Sequence, residues 1–589
     1  MSVPFKPRVG LTGLAVPGSL AGGFVFLENS SRPMRKQLLA SALTALALLA
    51  PVAADDFLVP LDDRPANRLF VEQVARIGRP QERLQVVPRH LLGRLLTPGE
   101  SDAVVAWTLA QAKPGDTVVV CVDMWLYGGL VASRSASATP EVVGQRLEQL
   151  RALSEKGVKL HVIATIPRLS LRTSDTQAPH ERALANWAAK DGLPTAQAML
   201  DASDSAPFPE SVPRPVVEEY LGVRVRNLQT LLSLVDMASE GLFESLVLGQ
   251  DDANKTGIHV EEQARLRERI AASPQASHIT LLSGIDELSM NVVAGLLADR
   301  SKHHPTVRVI YSDPEAADKI PPMESLTLDE MVREHLVLSG ARAVETDTAD
   351  VDLYVYVPYE KPYALPGEEK RSGSEEFVDT VERAMKGGRR VAVADLSLIN
   401  RMDPFLAEAV LKDVRLPELE GFASWNTPAN AVGTVIAQLV CHRIAETSPT
   451  WNIYDRLEAE KTHQAFLFAR MIDDYGYQTI VRDAVKGQTD GLSATADPLL
   501  NLFGPVGVDI RLRLVQWARE TFAAHYQGTT ICLEPQERLV RFRDARLEVV
   551  LPWPRIFEVE ARLDLRLEDT GKPCKDEKEP VKAPSRPAK

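Results

Sequence analysis

The chain has 589 residues, of which 45% are hydrophobic and 25% charged, and a net charge of −13 at neutral pH. That is enough chain to bury several cores without a metal or disulfide staple, and the composition excludes a largely disordered, collagen-like or coiled-coil protein. The acidic balance also excludes an extended phosphate-binding surface, so nucleic acid is not an expected partner. Cys121, Cys441, Cys532 and Cys574 are far apart and show no CxxC spacing, so neither a disulfide framework nor a structural zinc site is expected.

Residues 1–33 lack periodicity and are expected to lie upstream of the true start. Met34-Arg35-Lys36 is a short basic segment, residues 38–50 form an apolar run rich in Leu and Ala, and Pro51-Val52-Ala53-Ala54 supplies small residues for cleavage. This is the three-part pattern of a secretory signal over residues 34–54, with an apolar part too short to span a bilayer. The expected mature chain starts at Asp55 and is secreted or periplasmic. It has no transmembrane segment, because no later apolar stretch reaches ~20 residues.

Residues 55–445 alternate short apolar runs with helical periodicity. Strands are predicted over 57–61, 84–87, 117–122, 159–165, 242–248, 278–282, 306–311, 351–357, 390–394 and 421–424. Between them, Val142, Val143, Leu147, Leu150 and Leu153 line one helical face behind Pro140. Such alternation builds right-handed βαβ units and parallel sheets, and a continuous apolar run such as 117–122 suits a strand covered on both faces. The expected fold class is α/β: an irregular (β/α)8-barrel-like catalytic domain, with doubly wound parallel sheets as the alternative. Residues 446–568 should add a helical region and a small antiparallel β module. There 557–567 alternate strictly, and 547–551 precede them across Pro552-Trp553-Pro554. Residues 569–589, rich in Lys, Pro and Glu, read as a disordered tail.

Polar residues gather at the carboxyl ends of successive predicted strands, where parallel α/β folds hold their ligands. Asp62, Asp63 and Arg64 follow the first strand, Asp123, Tyr127 and Arg134 the third, and Arg168 the fourth. Asp251-Asp252 and Asp286-Glu287 follow the fifth and sixth, and Trp425, Asn426 and Asn430 the last. Taken singly, each also reads as a helix cap, a core side chain or an ion-pair partner; the set points to a site. Two adjacent carboxyls cannot both ionise cheaply, so one of Asp251-Asp252 should stay ionised while the other becomes a general acid. Asp286-Glu287 is a second pair, and facing carboxyls are the equipment for cleaving a glycosidic bond. Trp425 suits the apolar face of a sugar, Asn426 and Asn430 its hydroxyls or an acetamide, and the arginines a substrate anion or the acids themselves.

The leading expectation is therefore a secreted glycoside hydrolase without a cofactor, with Asp251, Asp252, Asp286 and Glu287 as catalytic carboxyls. Its partner is a small carbohydrate, N-acetylated sugars among the candidates. A second reading is a metal-dependent phosphate or amide hydrolase holding Mg²⁺ or Ca²⁺ on Asp62, Asp63, Asp251 and Asp252. A third is a periplasmic sugar- or anion-binding protein using the arginines and Trp425.

Several of these stretches together resemble a known family: residues 60–67, Tyr127-Gly128-Gly129-Leu130 with Ser133-Arg134, residues 249–253, and Trp425-Asn426-Thr427 with Asn430 and Gly433. Asp473-Asp474-Tyr475-Gly476-Tyr477-Gln478 with Arg482 adds to the likeness. The family is the bacterial domain of unknown function 4127, and the likeness covers residues 57–551. It implies kinship and no activity. More loosely, Asp251-Asp252 is similar to the pair of substrate-assisted β-N-acetylglucosaminidases, which implies Asp251 as the acetamide polariser and Asp252 as the proton donor. Asp286-Glu287 is similar to the pair of β-hexosaminidases, which implies Glu287 as the acid. The other motifs of both enzyme families are missing from this chain.

Overall fold

The computed structural model describes residues 54–171, 178–202, 206–357, 371–488, 504–535 and 537–574. The expected upstream start, the signal segment up to residue 53 and the tail beyond residue 574 lie outside them. Each of the ten predicted strands falls on an observed one. Six build a parallel sheet: β1 (Asp56–Val59), β2 (Gln85–Val86), β3 (Thr117–Cys121), β4 (Lys159–Ile166), β5 (Ser245–Gln250) and β6 (Ile279–Ser283), in the order β2-β1-β3-β4-β5-β6. A second parallel sheet holds β7 (Thr306–Tyr311), β8 (Arg342–Ala343), β9 (Val351–Tyr356), β10 (Val391–Asp395) and β11 (Leu419–Ala423), in the order β11-β10-β9-β7-β8. Of these eleven parallel strands only the two-residue edge strand β8 escapes prediction, having too little apolar sequence to register.

The two sheets are wound alike. In each, the second strand lies outside the first and the later strands step away on the other side, so the order reverses between β1 and β3 and between β7 and β9. Neither sheet closes, which corrects the barrel expectation in favour of the doubly wound alternative. Barrel and open sheet share the same βα periodicity; they differ only in whether the last strand returns to pair with the first, and β6 does not.

Alternate residues of a strand point to opposite faces, and here both faces are covered. Leu58, Val119, Ile163, Val247 and Leu282 of the first sheet share one buried cluster with Val307, Leu353, Val355, Ala392 and Ala394 of the second. The helices Leu69–Gly78, Leu288–Ser301, Leu328–Leu338 and Pro428–Thr447 contribute to that cluster and form a layer common to both sheets. Pro428–Thr447 is buried on every side, so its sequence is apolar all round instead of striped.

The outer face of the second sheet, with Tyr354, Val393 and Phe422, packs on Leu467, Phe468, Ile510, Phe522 and Phe542 from the C-terminal region. One core thus crosses the boundary expected at residue 445, and the described residues from Ala54 onward belong to one compact unit. The predicted hairpin is present: β13 (Arg538–Val550) and β14 (Glu560–Pro573) pair antiparallel, with β12 (Thr530–Leu533) alongside. β14 runs into the segment expected to be disordered, since Arg538 pairs with Pro573 and a Cys532–Cys574 disulfide closes the end of the sheet. That bond corrects the cysteine expectation: strand pairing brings together two residues 42 apart in sequence. Among the described residues no helix is long and apolar enough to cross a membrane.

Candidate active site

The loops after β1, β6 and β11 meet on one rim. Arg64, just beyond β1, spends its guanidinium on two carboxylates: Nε and Nη2 reach Asp62 at 2.7–3.0 Å, while Nη1 and Nη2 reach the two oxygens of Asp286 at 2.9 and 2.7 Å. The Asn67 amide donates to Asp62 at 2.8 Å and to Asp286 at 3.2 Å, and the Asn426 amide approaches Asp286 at 3.4 Å. Such fork-to-carboxylate pairs are the strong, orienting kind. Burial pushes the Asp286 carboxyl above its ordinary range, against the pull of Arg64. Above them sits Trp553 from the β13–β14 loop. Its ring lies 5.0 Å from the Arg64 guanidinium and its indole N–H donates to Asp63 at 2.6 Å. Arg89 reaches the other Asp63 oxygen at 3.3 Å.

The end of β5 carries the adjacent aspartates. Asp251 is clamped by Arg134 and, at 3.0 and 2.8 Å, by both prongs of Arg168. Burial alone would raise its pKa, but the two guanidiniums hold it well below the usual carboxylate range. Asp252 lies in a different setting. Burial pushes it up to about 6; Arg168 opposes this and the charges of Asp251 and Asp286 add to it. Its carboxylate meets Arg168 Nη1 at 2.5 Å, and its side chain is 20% exposed against 3% for Asp251. One aspartate is thus held ionised and enclosed, while burial raises its neighbour's pKa and leaves that side chain partly accessible.

Two further acids face this region. Asp123 accepts the Thr165 N–H at 3.1 Å and its hydroxyl at 2.7 Å, and burial pushes it up to about 6. Glu324 was not among the sequence candidates. It comes from the irregular segment between β7 and the helix Leu328–Leu338 and accepts the Ala429 N–H at 2.9 Å, at the start of Pro428–Thr447. Burial pushes it up to about 8, with Glu287 and Asp252 as charged neighbours.

Three sequence candidates stand apart from the reachable surface, and a fourth, Trp425, is half-buried. Glu287 is completely buried: Oε1 lies 3.0 Å from His335 Nε2, and Oε2 accepts from the Asn430 amide. Gly284 and Gly433 leave it no room to turn, because a Cβ on either would collide with its side chain. Glu287 is therefore corrected from acid to a tie between helices, and Asn430 from sugar ligand to its partner and helix cap. Tyr127 donates its hydroxyl to Thr230 at 3.0 Å and lies under Arg226, so it belongs to the outer helical layer. Trp425 donates its indole N–H to Thr434 at 3.0 Å and meets Phe70 edge-on, leaving part of its surface beside a small cavity.

Backbone strain gathers on the same rim. Of the seven non-glycine residues with positive φ among the described residues, Asp252, Met323, Asn400 and Asn426 lie here. Two backbone bonds lock them together, Ala253 N–H to the Met323 carbonyl and Asn400 N–H to the Asn426 carbonyl, both at 2.8 Å. Left-handed non-glycine residues cost of order 1–3 kcal/mol each and persist where the surroundings over-determine them, as at ligand sites.

The metal-ligand sets lie elsewhere. Among the described residues His442, Glu460 and His463, and Glu420, His442 and Glu446, bring their donor atoms within 4.8 Å of one another. Glu420 stands near the amino end of β11, opposite the rim. His442 is held between Glu420 at 2.7 Å and Glu460 at 3.0 Å, and the His463 Nε2–H donates to the Leu419 carbonyl at 3.0 Å. The two rings stack 3.7 Å apart and nearly parallel. Lone pairs in parallel planes do not converge on one ion, so this cluster reads as a buried ion network. At the rim, a cation on Asp62 or Asp251 would have to displace an arginine that each already carries.

No curated protein matches the chain. A family profile does, over residues 57–562, and the chain belongs to that family, described as a protein of unknown function, DUF4127.

Proposed function

We propose that the protein is a hydrolase of glycosidic bonds in which Asp252 is the proton donor. The Asp251–Asp252 pair carries this reading: adjacent carboxyls, one ionised between two arginines, the other partly accessible and with its pKa pushed up to about 6 by burial. General acids work best when their pKa lies near the working pH, and a sugar oxygen leaves only when protonated. Asp252 passes its proton to that oxygen as the C–O bond breaks, and Arg168, at 2.5 Å, faces the carboxylate left behind. Water adds to the anomeric carbon, and its spare proton restores Asp252. A small carbohydrate, N-acetylated sugars included, is the substrate class. Secretion fits the Cys532–Cys574 bond, since disulfides persist in oxidising compartments.

A panel of chromogenic glycosides tests the reading. At least one is hydrolysed, and Asp252→Asn lowers kcat by about 10²–10⁴-fold, the usual worth of a general acid, with the melting temperature retained. Full activity in that variant contradicts the assignment.

A further inference from the structure

Beside β2, the edge strand of the first sheet, runs a cleft of about 710 Å³, within the roughly 300–1,000 Å³ of ligand sites. Pro88 and Arg89, just past β2, bring its upper end to the rim, and residues 80–84, just before β2, form its lower end. The helix Leu69–Gly78 lines it, as do Arg562, Leu563 and Asp564 of β14 and Lys461 of the helix Ile453–Arg470. The acid–base reading makes no use of this cleft. The two meet at Arg89, whose Nε reaches Asp63 at 3.3 Å.

The cleft reverses the charge of the molecule. In a chain of net charge −13 it is lined by six cations, Arg68, Arg76, Arg83, Arg89, Lys461 and Arg562, and three acids. Each of those acids already faces a cation: Glu72 meets Arg68 at 3.2 Å, Asp564 meets Lys461 at 3.1 Å, and Glu82 meets Arg79. The arginines are fixed from beneath. Glu560, at the start of β14, has no exposed surface, and three guanidiniums share its carboxylate. Arg562 Nε donates to Oε1 at 2.6 Å, Arg68 Nη2 lies 3.4 Å from the same oxygen, and Arg89 Nη2 lies 3.3 Å from Oε2. One negative charge thus anchors three positive ones. The side chains of Arg89 and Arg562 are nevertheless 35% and 42% exposed, so both are held at the back while part of each stays open. A guanidinium has five N–H donors in a flat fork, more than a shared carboxylate can use, and the fork matches an oxyanion. An anion arriving here meets donors whose side chains are already ordered, which lowers the cost of binding it. At the lower end Arg83 is exposed and has no ion pair among the described residues.

The surface between the charges is apolar. Leu69, Leu84, Val86 and Leu563 line the same cleft, and such strips suit the C–H faces of sugar rings better than a bare inorganic ion. The length of the cleft, from the rim to the foot of the sheet, suits an extended ligand.

We propose that this cleft binds an acidic oligosaccharide, its carboxylates or sulfates on Arg89, Arg562 and Arg83 and one end directed past Arg89 toward the rim. The anionic character rests on the cleft itself; the sugar rests on the glycosidase reading. The test is calorimetric titration of the full chain at low and high salt with tetragalacturonate, a chondroitin sulfate tetrasaccharide, maltotetraose, inorganic phosphate and hexaglutamate, repeated on Arg562→Gln, Arg83→Gln and Asp252→Asn. At least one acidic tetrasaccharide should bind, the first of them reading carboxylates and the second sulfates, and maltotetraose should not. Salt should weaken the binding, Arg562→Gln should weaken it about 10-fold or more, the worth of a hydrogen bond between charged groups, and Arg83→Gln about 2–5-fold, the worth of an exposed pair. Asp252→Asn should leave it unchanged. Thermal unfolding checks each variant, and Arg83→Gln, which removes no contact, keeps the proposal open to refutation if Arg562→Gln unfolds. No binding of either acidic tetrasaccharide, binding indifferent to both arginine substitutions, or equal binding of maltotetraose overturns the proposal. So does tighter binding of phosphate, which makes the cleft a small-anion site, or of hexaglutamate, which makes it a peptide site. Arginine-dependent binding of an acidic tetrasaccharide in a protein without glycosidase activity upholds the cleft and removes the hydrolase reading; hydrolysis of neutral glycosides without such binding does the reverse.

Discussion

The two parallel sheets share a winding and a layer of helices, yet their rims are built from different materials. The rim of the first is a lattice of charges in which Asp62, Asp251, Asp252 and Asp286 each carry a guanidinium, and Asp252 is the most accessible of the four. The rim of the second turns its own strand-end acid inward. Asp395, at the end of β10, faces Ser397, Ser424 and the Asp403 N–H, and the small cavity beside it mixes Asn400, Asn426 and Trp425 with Arg64, Asp473 and Glu558. Identical topology gathers loops in the same place; the loop residues decide whether the gathering moves protons or holds a shape.

Arg64 joins the two rims, so its removal is the severest test of the comparison. Arg64→Met leaves Asp62 and Asp286 buried without their cation, and breaking buried pairs in this way costs about 3–5 kcal/mol. Urea unfolding measures the loss; a change below ~1 kcal/mol, the surface-pair range, breaks the link between the rims. Glu324 sharpens the picture by pH. Its folded pKa of about 8 lies above the unfolded value, so between the two the folded chain keeps a proton that the unfolded chain has lost. Its contribution therefore falls as pH rises from ~4.3 to 8, by up to ~1.4 kcal/mol per unit. Glu324→Gln retains an acceptor for the Ala429 N–H and should lose less melting temperature than wild type between pH 5 and pH 8. Equal losses place the Glu324 carboxyl in water. The smallest effect belongs to Tyr127→Phe, which removes the hydrogen bond to Thr230 at about 1 kcal/mol and should leave turnover untouched. A fall in kcat there would return Tyr127 to the site.

Much of this is legible in the sequence, for identifiable reasons. Strands buried on both faces are continuous apolar runs, so ten of the eleven parallel strands announce themselves. Acids and arginines placed after strand ends converge because the strands are parallel, as Asp62, Arg64, Asp251 and Asp286 do. Reach is harder to read. Asp286 and Glu287 are neighbours, yet the turn sends one to Arg64 and the other down among buried helices, and no spacing rule distinguishes them. Groups brought in from afar are invisible: Trp553 meets Asp63 across 490 residues, and Glu324 sits in a segment with no periodicity at all. Closed barrel and paired open sheets differ only in long-range pairing, which local pattern does not encode.

The most direct test of the central claim is the leaving-group dependence of hydrolysis by wild type and Asp252→Asn. If Asp252 donates the proton, the variant loses about 10²–10⁴-fold on a methyl glycoside but little on a dinitrophenyl glycoside, whose departing phenolate needs no proton. Equal losses on both substrates would contradict the account.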